Sequence, residues 1–155
     1  MSPRILAIDP GPARSAWLLL ERGKPRGFDI SDNGTLLRLL RRDAQEVSAD
    51  VVVIEWIESY GMAVGREVFE TVHWSGRFTE AAGQRPVVQL PRRSVKLELC
   101  GSTKAKDANV RAALIDRFGG STAIGRKAAQ GPLYGIANDV WSALAIAVTY
   151  ASAAA

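Results

Sequence analysis

Apolar residues in this chain fall into short runs, each stopped by a turn signal or a carboxylate. The first, ILAID, is brief and unbroken and ends at Asp9-Pro10-Gly11, which predicts a buried strand from Arg4 to Asp9. Ser15 to Leu20 predicts a second strand and GKPRGFDI a third after Arg22-Gly23, together an antiparallel meander. A helix from about residue 35 to 46 follows, capped by Ser31 or Asn33, with Leu36, Leu37, Leu39 and Leu40 on its inner face. ADVVVIE, residues 49 to 55, has four consecutive aliphatic residues and ends on Glu55; it is the strongest buried-strand signal in the chain. Between residues 65 and 82, Val68, Phe69, Val72 and Phe78 recur at helical spacing despite Gly76. RPVVQL predicts another short strand. KDANVRAALIDRFG predicts a helix with Val110, Ala113, Leu114 and Phe118 on one side and Gly119 as its stop. GGSTAIGRKAAQGPLYG reads as loop. Asn138 then caps a closing helix, DVWSALAIAVTYA, whose trailing alanines fray.

Three strands followed by alternating helices and strands predict a mixed α/β architecture, a central sheet of about five strands flanked by helices. The 155 residues suit one domain, and 47% apolar content excludes global disorder. A single cysteine, Cys100, forbids an internal disulfide and suits a reducing compartment. MSPRILAID enters a strand without a signal-peptide pattern, and ALAIAVTYA is far shorter than the ~20 residues that span a bilayer. The expectation is a soluble, cytoplasmic protein with no membrane partner.

Charge alters this picture in one place. The formal net charge is +4, but residues 92–127 hold nine Lys or Arg against three acids, while the 91 residues before them carry eleven against twelve. A basic segment beside a neutral body is either a polyanion footprint or an ordinary solvated surface.

Asp9 and Glu55 each end a hydrophobic strand, and Asp139 lies in the first turn of the last helix. If the two strands are neighbours and that helix crosses them, three carboxylates meet at the edge where α/β sheets gather functional residues. Converging charges beside a core need compensation, and a hard divalent cation provides it. Two such ions about 4 Å apart would serve phosphodiester hydrolysis. The plainer reading makes Asp9-Pro10-Gly11 an Asx turn and Asp139 a favourable charge at a helix N-terminus.

ILAIDPGPARSAWLLL resembles the first strand-turn-strand motif of the RuvC-type Holliday junction resolvases, in the ribonuclease H-like superfamily. VVVIEWIES resembles their second acidic motif and DVWSALAIAVTY their final helical one, in the same order over nearly the whole chain. YGMAVGREVFET and the KxKDANVRAALIDRFG segment resemble the short phage and prophage members. The resemblance implies a ribonuclease H-like nuclease domain over residues 1–155, acting as a homodimer on four-way DNA. It implies Mg²⁺ as cofactor, with Mn²⁺ substituting, one or two ions held by Asp9, Glu55 and Asp139, and paired nicks leaving 5′-phosphate and 3′-hydroxyl. Where the family offers a second acid one helical turn beyond Asp139, this chain has Ser142, which reaches a metal only through water. Glu58 and Glu67 are candidate replacements without a motif match, each read more readily as a surface residue. Ala16 stands where the family tends to glycine.

Lys104, Lys106 and Arg111 are the first candidates for phosphate contact, although the family's lysine position is taken here by Asp107. Arg92, Arg93 and Lys96 form a second, looser strip. Tyr60 and Met62 are candidates to stack on or wedge between bases, while Trp56 suits the core. Trp74 and Phe78, four apart, suit a dimer seam or the interior. His73, the only histidine, excludes a multi-imidazole zinc site, and Cys100 reads as a small buried residue. GSTK at 101 to 104 lacks the P-loop order, so no nucleotide cofactor is expected. Alternative activities are a flap or structured-RNA nuclease, a junction-binding protein without cleavage, and, least favoured by size, an actin-like ATPase.

Overall fold

The computed structural model describes residues 2–41 and 48–155. Strands β1 (Ile5–Asp9), β2 (Arg14–Glu21) and β3 (Lys24–Asp32) form the expected antiparallel meander. β4 (Val51–Trp56) lies parallel to β1, and β5 (Val87–Pro91) parallel to β4, giving the order β3-β2-β1-β4-β5. β1 and β4 are the central pair, covered on both faces, which is why each reads as an unbroken aliphatic run rather than an alternating one.

Side chains alternate between faces along each strand. Leu6, Ile8, Val52 and Ile54 point to one core, closed by α1 (Asn33–Arg41) and α2 (Arg66–Ala81) through Leu36, Leu37, Leu40 and Phe78. Ile5, Ala7, Val51 and Val53 point to the other, closed by α3 (Arg92–Cys100), α4 (Asp107–Arg117) and α5 (Val140–Ala154). Alanines suit α5 because Ala143 and Ala147, both fully buried, let it lie close against β1 and β2.

Several elements depart from expectation. α1 begins at Asn33, and the remainder of the expected helix, residues 42 to 46, lies outside the described residues. The buried face of α2 carries Thr71, Ser75 and Phe78, while Phe69 and Val72 are exposed, so the apolar positions at helical spacing do not all face inward. α3 was not foreseen, because RRSVKLELC offers only Val95 and Leu99 as buried positions and has no side-chain cap. The presumed loop after α4 holds a 3₁₀ turn (Gly120–Thr122) and a small hairpin of β6 (Gly125–Arg126) and β7 (Ala129–Gln130), anchored by buried Ala123, Leu133 and Ile136. Helix α5 continues to Ala154.

The turn after Asp9 is fixed by a buried polar cluster. The Gly11 N–H donates to Ser15 Oγ at 3.1 Å, the Ser15 hydroxyl donates to Asn33 Oδ1 at 2.6 Å, and Asn33 Nδ2 donates to the Gly11 carbonyl at 2.9 Å. Asn33 therefore ties the head of α1 to the turn instead of capping its own helix, and its N–H donates to the Ala13 carbonyl. Gly11 is required sterically: a Cβ there would stand 2.2 Å from the Arg14 carbonyl oxygen. Asn33→Ala leaves the Ser15 hydroxyl and the Gly11 carbonyl without these partners inside the protein. The expected loss is about 1–3 kcal/mol, read in thermal unfolding as a fall of ~2–4 °C per kcal/mol. An unchanged melting temperature would contradict the structural role of this cluster.

Candidate functional site

Asp9 and Glu55 stand one residue beyond the last paired positions of the parallel β1–β4 ladder, Ile8 and Ile54. By strand parity Asp9 follows Ile5 and Ala7, and Glu55 follows Val51 and Val53, so both side chains face the α3–α4–α5 side. Across this end of β1 stands Ala16 of β2, nearly fully buried. Asp139 arrives on the same side as the residue before α5. It is the N-cap residue without a side-chain capping hydrogen bond, and it occupies the charge position at the helix N-terminus that the plainer reading assigns it. Asn138, expected as the cap, has φ +51° and forms the bend that brings Asp139 round.

Asp9 keeps only a narrow solvent margin among protein atoms. Burial first, then the charge and hydrogen bonding of Glu55, then the charge of Asp139 raise its pKa from 3.8 to about 9; Arg92 opposes the rise. The carboxyl groups of Asp9 and Glu55 are close enough for one to donate a proton to the other.

Beside this cluster lies a cleft of about 390 Å³ between α3, α4 and α5. Glu55, Asp107, Asp139 and Ser142 line it together with Arg92, Lys96 and Arg111, and Val95, Val110 and Ile146 are among its apolar residues. Arg92 Nη1 lies 3.6 Å from Glu55 Oε1, and its Nη2 is bonded to Asp107 Oδ1. The Arg111 guanidinium stacks 4.8 Å from the Trp141 ring centroid, which fixes its approach to the cleft.

The remaining sequence candidates scatter. Lys104 and Lys106 are exposed outside the cleft lining, and Arg93 is turned to Glu58 at 3.5 Å. Glu58 is thus engaged by an arginine, and Glu67 stands exposed at the start of α2. Tyr60 and Met62 are exposed on the loop after β4, Tyr60 with φ +54°. Trp56 belongs with them and not with the core: its parity turns it from the α5 side, and it is 47% exposed. Phe78 is fully buried against β1 and β4 and cannot serve a seam between copies, whereas Trp74 is half-buried, and Phe69 and Val72 are exposed. His73 lies on α2, outside the cleft, and Cys100 is half-buried at the core margin.

Among the described residues no three His, Cys, Asp or Glu side chains are grouped tightly enough to hold an ion as they stand. Glu55 is instead paired with Arg92. The donor chemistry nevertheless fits a hard divalent cation, because Asp9, Glu55 and Asp139 offer only carboxylate oxygens and their mutual repulsion is under-compensated.

Three solved structures share this architecture. Thermus thermophilus RuvC aligns over 97% of this chain and 94% of its own, with 18% identity and a TM-score of 0.70. T. thermophilus RuvC in complex with Holliday junction substrate aligns over 97% and 93%, with 20% identity and a TM-score of 0.71. The yeast mitochondrial Holliday junction resolvase Ydc2 aligns over 97% and 78%, with 12% identity and a TM-score of 0.61. The chain has the RuvC fold, a ribonuclease H-like fold. No protein-family model and no curated protein sequence matches it.

On this RuvC fold the acidic cluster makes stability depend on pH. Folded Asp9 holds its proton up to about pH 9, while the unfolded chain releases it near 3.8. Between those values the folded state binds more protons, so stability is fully present below about 3.8 and is lost as pH rises toward 9. Asp9→Asn removes that slope. In thermal unfolding without divalent ions, the variant should match wild type near pH 4 and melt several degrees higher near pH 8. Parallel pH curves for the two proteins would show that Asp9 titrates normally.

Proposed function

We propose that this protein is a metal-dependent, structure-selective endodeoxyribonuclease that resolves four-way DNA junctions by paired symmetric nicks, leaving 5′-phosphate and 3′-hydroxyl ends. The observation that carries the reading is the approach of Asp9, Glu55 and Asp139, from three separate elements, beside a cleft that also presents Arg92, Lys96 and Arg111. The shared fold supports it, since one of the similar structures is a complex with a Holliday junction substrate.

Asp9, Glu55 and Asp139 would hold Mg²⁺ or Mn²⁺, one ion or two, with Ser142 contributing through water. The cation supplies charge neutralisation at the scissile phosphate and lowers the pKa of an attacking water. Lys96 and Arg111 bind backbone phosphates in the cleft, and Lys104, Lys106 and Arg93 extend that contact outside it. Trp56, Tyr60 and Met62, exposed beyond β4, present apolar surface to bases at an opened junction. No nucleotide cofactor is needed.

A junction requires two symmetric incisions, and a two-fold homodimer supplies two sites. The seam is the exposed strip of α2 formed by Phe69 and Val72; of the expected pair, Phe78 is buried and Trp74 is half-buried on another face of the helix. Residues 1–155 act as one nuclease domain, working where cellular or phage DNA recombines in the cytoplasm. Among the described residues no helix is long and apolar enough to cross a membrane.

The test is cleavage of a labelled, fixed-core four-way junction beside linear duplex, flap and structured-RNA controls, with Mg²⁺, Mn²⁺ or EDTA. Wild type should place paired nicks in the junction alone, and Asp9→Asn should lose more than about 100-fold, beyond the loss typical of outer-shell changes. Tight junction binding without nicks would overturn the enzyme reading and implicate Ser142 as the missing acid. Equal cutting of flaps or RNA would overturn junction selectivity. Sedimentation tests the seam: Phe69→Asp should shift a dimer to monomers, and a monomeric wild type would contradict the assembly.

A further inference from the structure

Arg92 opens α3 immediately after β5, and its guanidinium reaches in two directions. The Nη1 edge faces Glu55 Oε1 at 3.6 Å, and the Nη2 edge is bonded to Asp107 Oδ1. The two carboxylates differ in setting. The Glu55 side chain is 12% exposed and belongs to the converging cluster; that of Asp107 is 81% exposed, at the start of α4 in the cleft lining. A pair with so exposed a carboxylate adds little stability by itself. What it does is fix a planar fork by one edge, so that the other edge is aimed at Glu55.

The cluster gives that edge a purpose. One guanidinium, already bonded to Asp107, offsets only part of the charge of Glu55 and Asp139. We propose that Arg92, held by Asp107, is the resident counterion of the carboxylate cluster, pairing with Glu55 until a divalent cation takes its place. This rests on the metal-nuclease reading above. Displacement frees the Nη1 edge while Asp107 keeps the side chain in the cleft beside Lys96 and Arg111. The guanidinium then faces the ground where a phosphate backbone is held. Metal loading and backbone binding are thereby coupled through one positioning residue. An ordinary surface ion pair would show no such coupling, because its loss would lower stability equally with and without metal.

The test is Mn²⁺ binding by calorimetry, together with melting in EDTA and in saturating Mn²⁺. The proteins are wild type, Arg92→Met, Arg92→Gln, Arg92→Lys and Asp9→Asn. Removing a positive charge beside the ion should tighten Mn²⁺ binding of Arg92→Met by about tenfold. The same variant should melt below wild type in EDTA and recover in Mn²⁺. Arg92→Lys, which keeps the charge, should stay nearer wild type, and Arg92→Gln should tighten binding as Arg92→Met does. A folded Arg92→Met with equal or weaker Mn²⁺ affinity would overturn the proposal. Should that variant fail to fold, equal or weaker affinity in Arg92→Gln would overturn it instead. If wild type binds no Mn²⁺, or binds it independently of Asp9, the metal-nuclease reading falls and this proposal with it. Asp9-dependent binding that is indifferent to Arg92 sinks the proposal alone.

Discussion

Like charges brought together beside a hydrophobic core are the constraint around which this molecule is built. Asp9 sits at the end of the most buried strand pair, with Glu55 within proton-sharing distance and the charge of Asp139 felt nearby. A carboxyl group in such a place resists ionisation, and its pKa rises to about 9. No packing advantage follows from placing acids there, since polar groups without partners beside a core are unfavourable. The arrangement becomes favourable once a cation enters, and Arg92 supplies part of that compensation from within the chain.

The scaffold makes the convergence hard to avoid. Parallel pairing of β1 with β4 fixes Asp9 and Glu55 at the same height, and strand alternation turns both toward α5. The small side chains of α5 let it settle onto that face, and the left-handed Asn138 turns Asp139 toward it. At the other side of Asp9, the buried Ser15 and Asn33 side chains hold the Pro10-Gly11 turn through one buried and two part-buried hydrogen bonds. A tight turn after the first carboxylate thus has a mechanical role: it stops the strand at Asp9 and locks the backbone there.

Much of this was legible in the residues. Unbroken aliphatic runs ending on acids revealed β1, β4 and the carboxylate pair, because a strand covered on both faces has no polar alternation to obscure it. The meander and the closing helix followed from turn residues and composition. The cleft was harder. Arg92, Arg93 and Lys96 lie on a nine-residue helix with two buried positions, too short and too charged for periodicity to register. Asp107 looked like the loss of a cation, whereas it holds Arg92 in the cleft, a pairing fifteen residues apart that only the tertiary structure reveals. Trp56 stands outside its expected core, and Phe78 takes the interior of its two readings, for the same reason: spacing gives a helical face or a strand parity, but what covers that face is a property of the whole fold.

The most direct measurement of the central claim is the titration of the Asp9 carboxyl carbon by NMR in protein labelled at aspartate, with and without Mg²⁺. Without the ion, the resonance should stay in its protonated position through neutral pH and titrate toward about 9. With Mg²⁺ it should move to its ionised position at neutral pH, because the cation stabilises the charged form. An Asp9 that titrates near 4 without Mg²⁺ and ignores its addition would contradict an uncompensated acidic cluster that awaits a cation.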